Sequence, residues 1–400
     1  MKRQHKVEKS PLDNQHAIFT ETPGGELQEH VNHRITIEEI ASIENLRMAV
    51  CQVRRNAGKG KGINKQVNKR KIQSACDNCN ISKLRQTLLE GRYYPQPVQC
   101  HEIPKPTGGT RRIGIPEPVD RIVGTAISRV LQFHSEKYVL GEECYAYRPG
   151  KSASQAAYAA WRKFGEGYKW ALKVDLSKYF DTIDHDILLQ TVAAKLKPDQ
   201  ATLQLINRIL KAGSMWKGQF QPSRCGVPQG GVCSPVLSNL FGAILDEALR
   251  KQGIIFVRYA DDILVLARDR DECEKQRDII DAETRKLNLT LNREKTVISK
   301  LRDITFLNYA FRKSGMRIPQ GAYMRLSENL NKEVTKWESG IDRINHAVKI
   351  VCGWLNYYRQ ANSMLPRCKE CKQILETIEK NMQFTEAKEA WNQCCRLMHI

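Results

Sequence analysis

Two short apolar runs rich in strand-forming residues, Gly253 to Val257 and Ile263 to Ala267, flank the adjacent acids Asp261 and Asp262. Runs of this length and composition suit buried strands, so the stretch predicts strand, tight connection, strand. Side chains alternate along a strand, and two neighbouring carboxylates can face the same way only where the chain turns. Acids between two buried strands are costly unless something cationic neutralises them. A hairpin tipped with Asp-Asp is therefore a candidate divalent-metal site. An Asp-Asp turn is also a common solvated feature, so the rest of the chain has to decide between the two.

Lys and Arg outnumber Asp and Glu by 64 to 44, a net charge of +20 with a pI of about 9.4, which points to a polyanionic partner. No apolar run is long enough to span a membrane, and Met1 to Ser10 is charged with no apolar stretch behind it, so nucleic acid is favoured over a membrane. The thirteen cysteines are odd in number and scattered, which suits free thiols in a reducing compartment. Two Cys-x-x-Cys pairs, Cys76/Cys79 and Cys368/Cys371, each lack an obvious second pair of zinc ligands. Cys394/Cys395 and Cys100/His101 are adjacent, which suits tetrahedral ligation poorly.

Residues 1–38 are polar, contain Pro11, Pro23, Gly24 and Gly25, and are expected to form a flexible extension. Helical spacing begins at Ile37. Nine Lys or Arg and no acid lie between Arg47 and Lys71, Arg54 and Arg55 among them, around Gly58, Gly60 and Gly62. Such a segment lets the backbone approach phosphates closely, although a charge run is also what a solvated face carries. Ile81 to Leu89 is helical; Tyr93 to Pro118 is rich in Pro and Gly, extended, and carries Lys105, Arg111 and Arg112. From Val119 to Val130 the spacing is helical again. Tyr145, Tyr147, Arg148 and Lys151 set aromatics beside cations, which suits stacking and phosphate contact, or else a helix start with a packed tyrosine.

Trp170 to Val174 is a short strand ending on Asp175, and Asp184 is placed to cap a helix from Asp186 to Lys195. The loop Gly226 to Gly231 precedes a helix from Ser234 to Lys251, with Ser234 as cap and Pro235 at the first helical position. Val236, Leu237, Leu240, Phe241, Ile244, Leu245, Ala248 and Leu249 form its apolar stripe. Arg270 to Lys286 reads as an amphipathic helix, Leu287 to Leu291 and Phe306 to Phe311 as strands, and the remainder as helices centred on Gly353 to Tyr358.

Asp175, Asp261 and Asp262 come from distant segments but all lie at strand ends, where one sheet can bring them together beside a basic groove. Carboxylates converging in that way are what two-metal phosphoryl transfer requires. One Mg²⁺ lowers the pKa of an attacking 3′-hydroxyl and a second neutralises the leaving pyrophosphate. Such a transfer needs alignment and charge stabilisation more than covalent chemistry.

The segments around these acids follow an ordered set. They include Gly91 to Pro97 with Ile103 to Lys105, Asp120 to Val123, Tyr147 to Gly150, Lys173 to Asp175 with Tyr179 to His185, and Val227 to Gly231 with Asn239. Arg258 to Asp262, Leu291 to Thr296, Phe306 to Tyr309 and Gly353 to Tyr358 complete it. In order and spacing the chain resembles a group II intron-type reverse transcriptase over residues 45–360. The resemblance implies an α+β right-hand fold: fingers and palm, with an antiparallel palm sheet, over 39–310, and a helical thumb or maturase-like region over 311–400.

It also implies roles. Asp175 and Asp261 would ligate both metals with the Leu176 carbonyl and with Asp262 close by; the ions would be Mg²⁺, for which Mn²⁺ substitutes. Lys295 would be the general acid. Phe180 would exclude the ribose 2′-hydroxyl, Gln229 and Gly230 would line the nucleotide pocket, and Lys105 and Arg112 would hold the triphosphate. Arg54, Arg55, Arg121, Arg148, Phe306, Leu307, Tyr309, Trp354 and Tyr357 would contact primer or other nucleic acid.

Expected partners are an RNA template (intron RNA or a dedicated non-coding RNA), a DNA or RNA primer and deoxynucleotides, in a bacterial cytoplasm. The chain departs from the family at Asn64 and Lys65, at Ile113 and at Asn308, and no endonuclease domain is recognisable after Tyr358. The expected activity is RNA-directed DNA synthesis, in an intron-encoded protein or one domesticated for phage defence or repair. The alternative is an RNA-binding maturase that assists intron splicing.

Overall fold

The computed structural model describes residues 34–57, 65–104, 109–337, 339–358 and 375–398. Its N-terminal half is mostly helical: α1 Ile37–Ile40, α2 Ile43–Asn56, α3 Lys65–Asp77 and α4 Ile81–Leu89. The hairpin β1 Val98–Pro104 and β2 Thr110–Ile115 follows, then α5 Pro118–Tyr138 and α6 Ala153–Gly165. Next are β3 Trp170–Val174, the short α7 Tyr179–Thr182, α8 His185–Leu196, α9 Gln200–Lys211 and the hairpin β4 Ser214–Trp216, β5 Gln219–Gln221. The chain continues through α10 Ser234–Lys251, β6 Ile255–Tyr259, β7 Asp262–Ala267, α11 Arg270–Lys286 and β8 Val297–Lys300. A small sheet of β9 Thr305–Phe306, β10 Tyr309–Arg312 and β11 Gly315–Arg317 leads into α12 Gln320–Val334, α13 Gly340–Tyr358 and a last helix, Phe384–Met398.

Capping chemistry sets many of the helix starts. Asp184 accepts from the backbone N–H groups of Asp186 and Ile187, and Asp269 and Ser152 do the same for α11 and α6. Asp199 caps α9 through one carboxylate oxygen while the other accepts from Ile37 N–H, which ties α1 to α9. Helix α10 corrects one expectation. Ser234 is its first helical residue rather than its cap, and its hydroxyl donates to the Pro228 carbonyl at 2.7 Å instead.

A four-stranded antiparallel sheet in the order β6-β7-β3-β8 occupies the centre. Its strands read as continuous apolar runs because both faces are covered. Phe256, Ile263, Val265, Leu172 and Val174 pack into a core shared with α5, α8, α10 and α11, while Val257, Leu264, Leu266 and Ala171 pack against α6 and the β9–β11 sheet. A second sheet, β2-β1-β4-β5, extends the β1–β2 hairpin with β4 running parallel to β1. A third core joins α12, α13 and the last helix.

Two expected strands are something else. Leu287 to Leu291 is the exit of α11: Asn288 has φ 57°, and both Leu287 and Leu289 donate to the Thr284 carbonyl, so the segment curls and only Leu291 bridges to Leu176. The strand that pairs with β3 on the side away from β7 is Val297–Lys300. Phe306 to Phe311 is a hairpin, with a two-residue turn at Leu307 (φ 48°) and Asn308 (φ 61°). Positive φ at both positions is the type I′ pattern, and Asn308 tolerates it where glycine is otherwise preferred.

The expected boundaries also shift. Ile35 and Ile37 are core residues, so the first packed unit begins before residue 39; β10 runs across residue 310. Residues 1–33 lie outside the described residues. No helix among the described residues is long and apolar enough to cross a membrane.

Candidate active site

β6 and β7 form a tight hairpin whose last pair is Tyr259↔Asp262, leaving Ala260 and Asp261 as the two-residue turn. Ala260 has φ 60°. Two-residue turns of this kind put glycine or asparagine at positive φ, so an alanine here is held against its preference. β3 pairs with β7 up to Val174↔Ile263, and one further step of that register sets Asp175 opposite Asp262. Asp175, Asp261 and Asp262 therefore meet at one end of the central sheet.

Their electrostatics follow from that convergence. Burial first, and then the charge of Asp175, push the Asp261 carboxyl above its ordinary value, against a hydrogen bond from its own backbone N–H and the charge of Arg111. Asp262 is more open to solvent as a residue, but packing around its carboxyl, followed by Asp261 and Asp175, raises it as well, with Lys173 opposing. Three acids so close repel one another and call for a cation. Among the described residues no group of three His, Cys, Asp or Glu forms a ready-made metal cage.

Backbone bonds hold the surrounding loops. The Asp175 N–H donates to Thr296 Oγ1 at 3.3 Å, and its carbonyl accepts from Asn292 N–H at 2.8 Å. Ser177 N–H donates to Thr290 O, which places buried Leu176 and the turn carrying exposed Lys295 beside the acids. On the other flank, the loop from Gly226 to Gly231 packs backbone to backbone on α7: Val227 N–H donates to Phe180 O and Gly226 N–H to Ile183 O, both at 2.7 Å. Gln229 donates to Asp181 at 3.2 Å, and its carbonyl accepts from Gly114 N–H of β2 at 2.7 Å. Gly230, at φ 104°, would place a Cβ 2.8 Å from the Gly114 carbonyl, so only glycine fits there. The structure thus brings Phe180, Gln229 and Gly230 together between α7 and the β1–β2 sheet.

Other expected site residues are placed differently. Arg148 is buried: it forms an ion pair with Glu136 at 2.8 Å and donates to the carbonyls of Gly141 and Cys144, so its guanidinium is unavailable to nucleic acid. Arg112 turns away from the acids, pairing with Glu102 and lying 4.5 Å over the Trp216 ring, whereas its neighbour Arg111 is felt by both Asp261 and Tyr147. Strand alternation separates the two, and that alternation was the available signal for Arg111. Phe306 and Tyr309 are fully buried, so they anchor the Leu307–Asn308 turn rather than touching a primer themselves.

The Tyr309 hydroxyl donates to the Tyr357 carbonyl, and Tyr357 returns a bond to the Leu307 carbonyl at 2.8 Å. Tyr357 remains partly exposed; burial raises its hydroxyl pKa, and Asp262 contributes, which brings α13 to the edge of the site. Trp354 sits half-buried between Tyr323 and Tyr358. Arg121 is half-buried and donates to Pro116 O at 2.9 Å, Arg54 pairs with Asp77, and Arg55 is exposed on α2. Lys105, Cys368 and Cys371 lie outside the described residues, and Cys76 and Cys79 belong to no three-ligand group among those described.

Residues 103–311, just over half of the chain, match the family "Reverse transcriptase (RNA-dependent DNA polymerase)". The group II intron-encoded protein LtrA of Lactococcus lactis subsp. cremoris is 36% identical over 168 residues, 42% of this chain and 28% of LtrA. Protein YkfC of Escherichia coli K12 is 30% identical over 284 residues, 59% of this chain and 72% of YkfC. Among solved structures, the apo telomerase of Candida tropicalis superposes with a TM-score of 0.48 at 14% identity, covering 75% of this chain and 64% of that one. The chain spans just over a quarter of the length of LtrA. With its acids, loops and antiparallel central sheet in the family's order, the chain belongs to the reverse transcriptase family, of the group II intron type.

Proposed function

We propose that the protein is an RNA-directed DNA polymerase that adds deoxynucleotides to a primer 3′-hydroxyl. The observation that carries this reading is the meeting of Asp175, Asp261 and Asp262 at one sheet end, where burial first, then Asp175 beside Asp261 and Asp261 beside Asp262, hold the two turn carboxyls above their ordinary pKa. Asp175 and Asp261 would hold two Mg²⁺ ions, with the Leu176 carbonyl and Asp262 beside them. Bound there, the ions would activate the 3′-hydroxyl and neutralise the leaving pyrophosphate.

The chain's own groups supply the rest. Phe180 and Gln229 form the wall against which the nucleotide sugar and base settle, and Arg111, facing the acids, is placed for the phosphates. Lys295, on the turn hydrogen-bonded to Asp175, donates a proton to the departing pyrophosphate. The Leu307–Asn308 turn and Tyr357 meet the primer end from the side of α13. In this assignment the packed unit from Ile35 to about residue 310 serves as fingers and palm, and the helical region after it as thumb.

The test is single-nucleotide extension of a primed RNA template with Mg²⁺, comparing wild type with Asp261→Asn. Extension by the wild type alone supports the reading. If the two behave alike, it fails. A maturase role is the second reading, favoured by the name of LtrA, a group II intron-encoded protein. Sequencing the RNA that copurifies with the chain separates an intron partner from a dedicated non-coding RNA serving phage defence or repair.

A further inference from the structure

Arg258 stands on β6, just before the acid turn, and reaches three parts of the fold. Its side chain is 1% exposed. Nε and Nη2 grip Asp246 of α10 at 2.7 and 2.6 Å, and Nη1 donates to Asn239 Oδ1 at 3.2 Å and to the Ala260 carbonyl at 3.3 Å. Gly242 makes room for it, since a Cβ there would stand 2.7 Å from Nη1. Through its backbone Arg258 also pairs with the segment leading to Tyr147: its N–H donates to Glu143 O at 2.8 Å and its carbonyl accepts from Tyr145 N–H at 2.9 Å. Asn239 completes that link by donating to Ala146 O at 2.7 Å.

Ala260 is the residue at φ 60°, immediately before Asp261. A side chain at positive φ persists only where its surroundings over-determine it. The Arg258 bond to the Ala260 carbonyl is such a constraint, anchored on a helix rather than on the hairpin itself. Charge compensation within the core would need Asp246 alone. Reaching past it to the turn does something more.

We propose that Arg258 is a positioning residue for the acid pair: braced on Asp246 and Asn239, it holds the Ala260 carbonyl and thereby fixes the turn that aims Asp261. The kinetic part of the test rests on the polymerase reading; the metal-binding part does not.

The experiment uses the full chain carrying Asp246→Leu with Arg258→Met, a replacement that leaves no buried charge unpaired. It is made with and without Ala260→Gly, which removes the cost of positive φ. Three quantities are measured: Tm, Mn²⁺ affinity by electron paramagnetic resonance without nucleic acid, and kcat with KM for a single deoxynucleotide addition. The expected result is a cooperatively melting protein whose Mn²⁺ affinity and kcat fall about tenfold or more, with KM for primer–template unchanged. Ala260→Gly should recover most of both losses.

A folded variant with wild-type Mn²⁺ affinity, or losses that Ala260→Gly does not recover, overturns the proposal. Should the Leu/Met pair fail to fold, Arg258→Lys takes its place, because lysine can pair with Asp246 but cannot span both partners. A wild type that binds Mn²⁺ yet extends no primer sinks the polymerase reading and leaves positioning to be decided by the affinities. A wild type that binds no Mn²⁺ overturns both.

Discussion

Gly226→Ala isolates the contact between the loop from Gly226 to Gly231 and α7. Gly226 has φ 83°, and a Cβ there would sit 2.8 Å from the Asp181 carbonyl oxygen, 2.9 Å from its carbon and 3.0 Å from its Cα. These are backbone atoms that cannot rotate aside. The loop is also pinned by bonds at 2.7 Å from Gly226 N–H to Ile183 O, from Val227 N–H to Phe180 O and from the His185 ring to Gly226 O. Two costs add: about 1–2 kcal/mol for a side chain at positive φ, and about 1–3 kcal/mol for forcing a methyl into a packed contact. Gly218→Ala is the control, because Gly218 has φ 81° and nothing within 4 Å of its would-be Cβ. It should carry only the first cost. Urea melts of both variants, followed by tryptophan fluorescence, are expected to separate by about 1–3 kcal/mol. In primer extension Gly226→Ala should raise KM for deoxynucleotide, since the loop moves Gln229 and Gly230 relative to Phe180, while affinity for primer–template holds. If the two variants melt together and KM does not change, the packing account of this loop is wrong.

Asp261→Asn should raise the Tm of the metal-free chain at pH 7. The folded-state pKa of Asp261 is raised, so ionising it opposes folding above that pKa, and the advantage of the variant should vanish as pH falls through the carboxylate range to below the unfolded value. Differential scanning calorimetry at stepped pH checks the sign; a variant less stable than wild type at pH 7 would contradict it. Arg148→Ala should destabilise by about 2–4 kcal/mol while leaving the salt dependence of RNA binding unchanged. Exposed Arg55→Ala should do the reverse, lowering the slope of log K against log salt by up to about 1. Phe180→Ala should erode discrimination against ribonucleotides by roughly 10- to 200-fold, read as the ratio of kcat/KM for deoxy- and ribonucleotides; an unchanged ratio would remove Phe180 from the sugar pocket.

Much of the fold was legible because local chemistry and final structure agree. Ile81–Leu89 and Arg270–Lys286 match their expected spans, and Asp184 caps α8 as its position suggests. The Asp-Asp turn between two apolar runs was visible because a two-residue connection and fully buried strands leave few alternatives. Local chemistry misled where a segment's periodicity was overruled by its neighbours. Leu287 to Leu291 alternates like a strand, yet Asn288 curls it into the end of α11. Phe306 to Phe311 also reads as one strand, but it folds back at Leu307 and Asn308 so that Phe306 and Tyr309 can both be buried against α6 and α13.

The sequence by itself determined the chemistry on offer: three acids at strand ends, a glycine loop that must pass close to other backbone, and an excess of positive charge. Residue type and short-range spacing carry that information. Only the tertiary structure decided which cations serve which purpose. Arg148 and Arg258 lie in the interior, consumed by Glu136 and Asp246; Arg112 rests on Trp216 and Arg111 faces the acids. A guanidinium's role depends on the groups that surround it after folding, and those groups come from helices and strands far away in the chain.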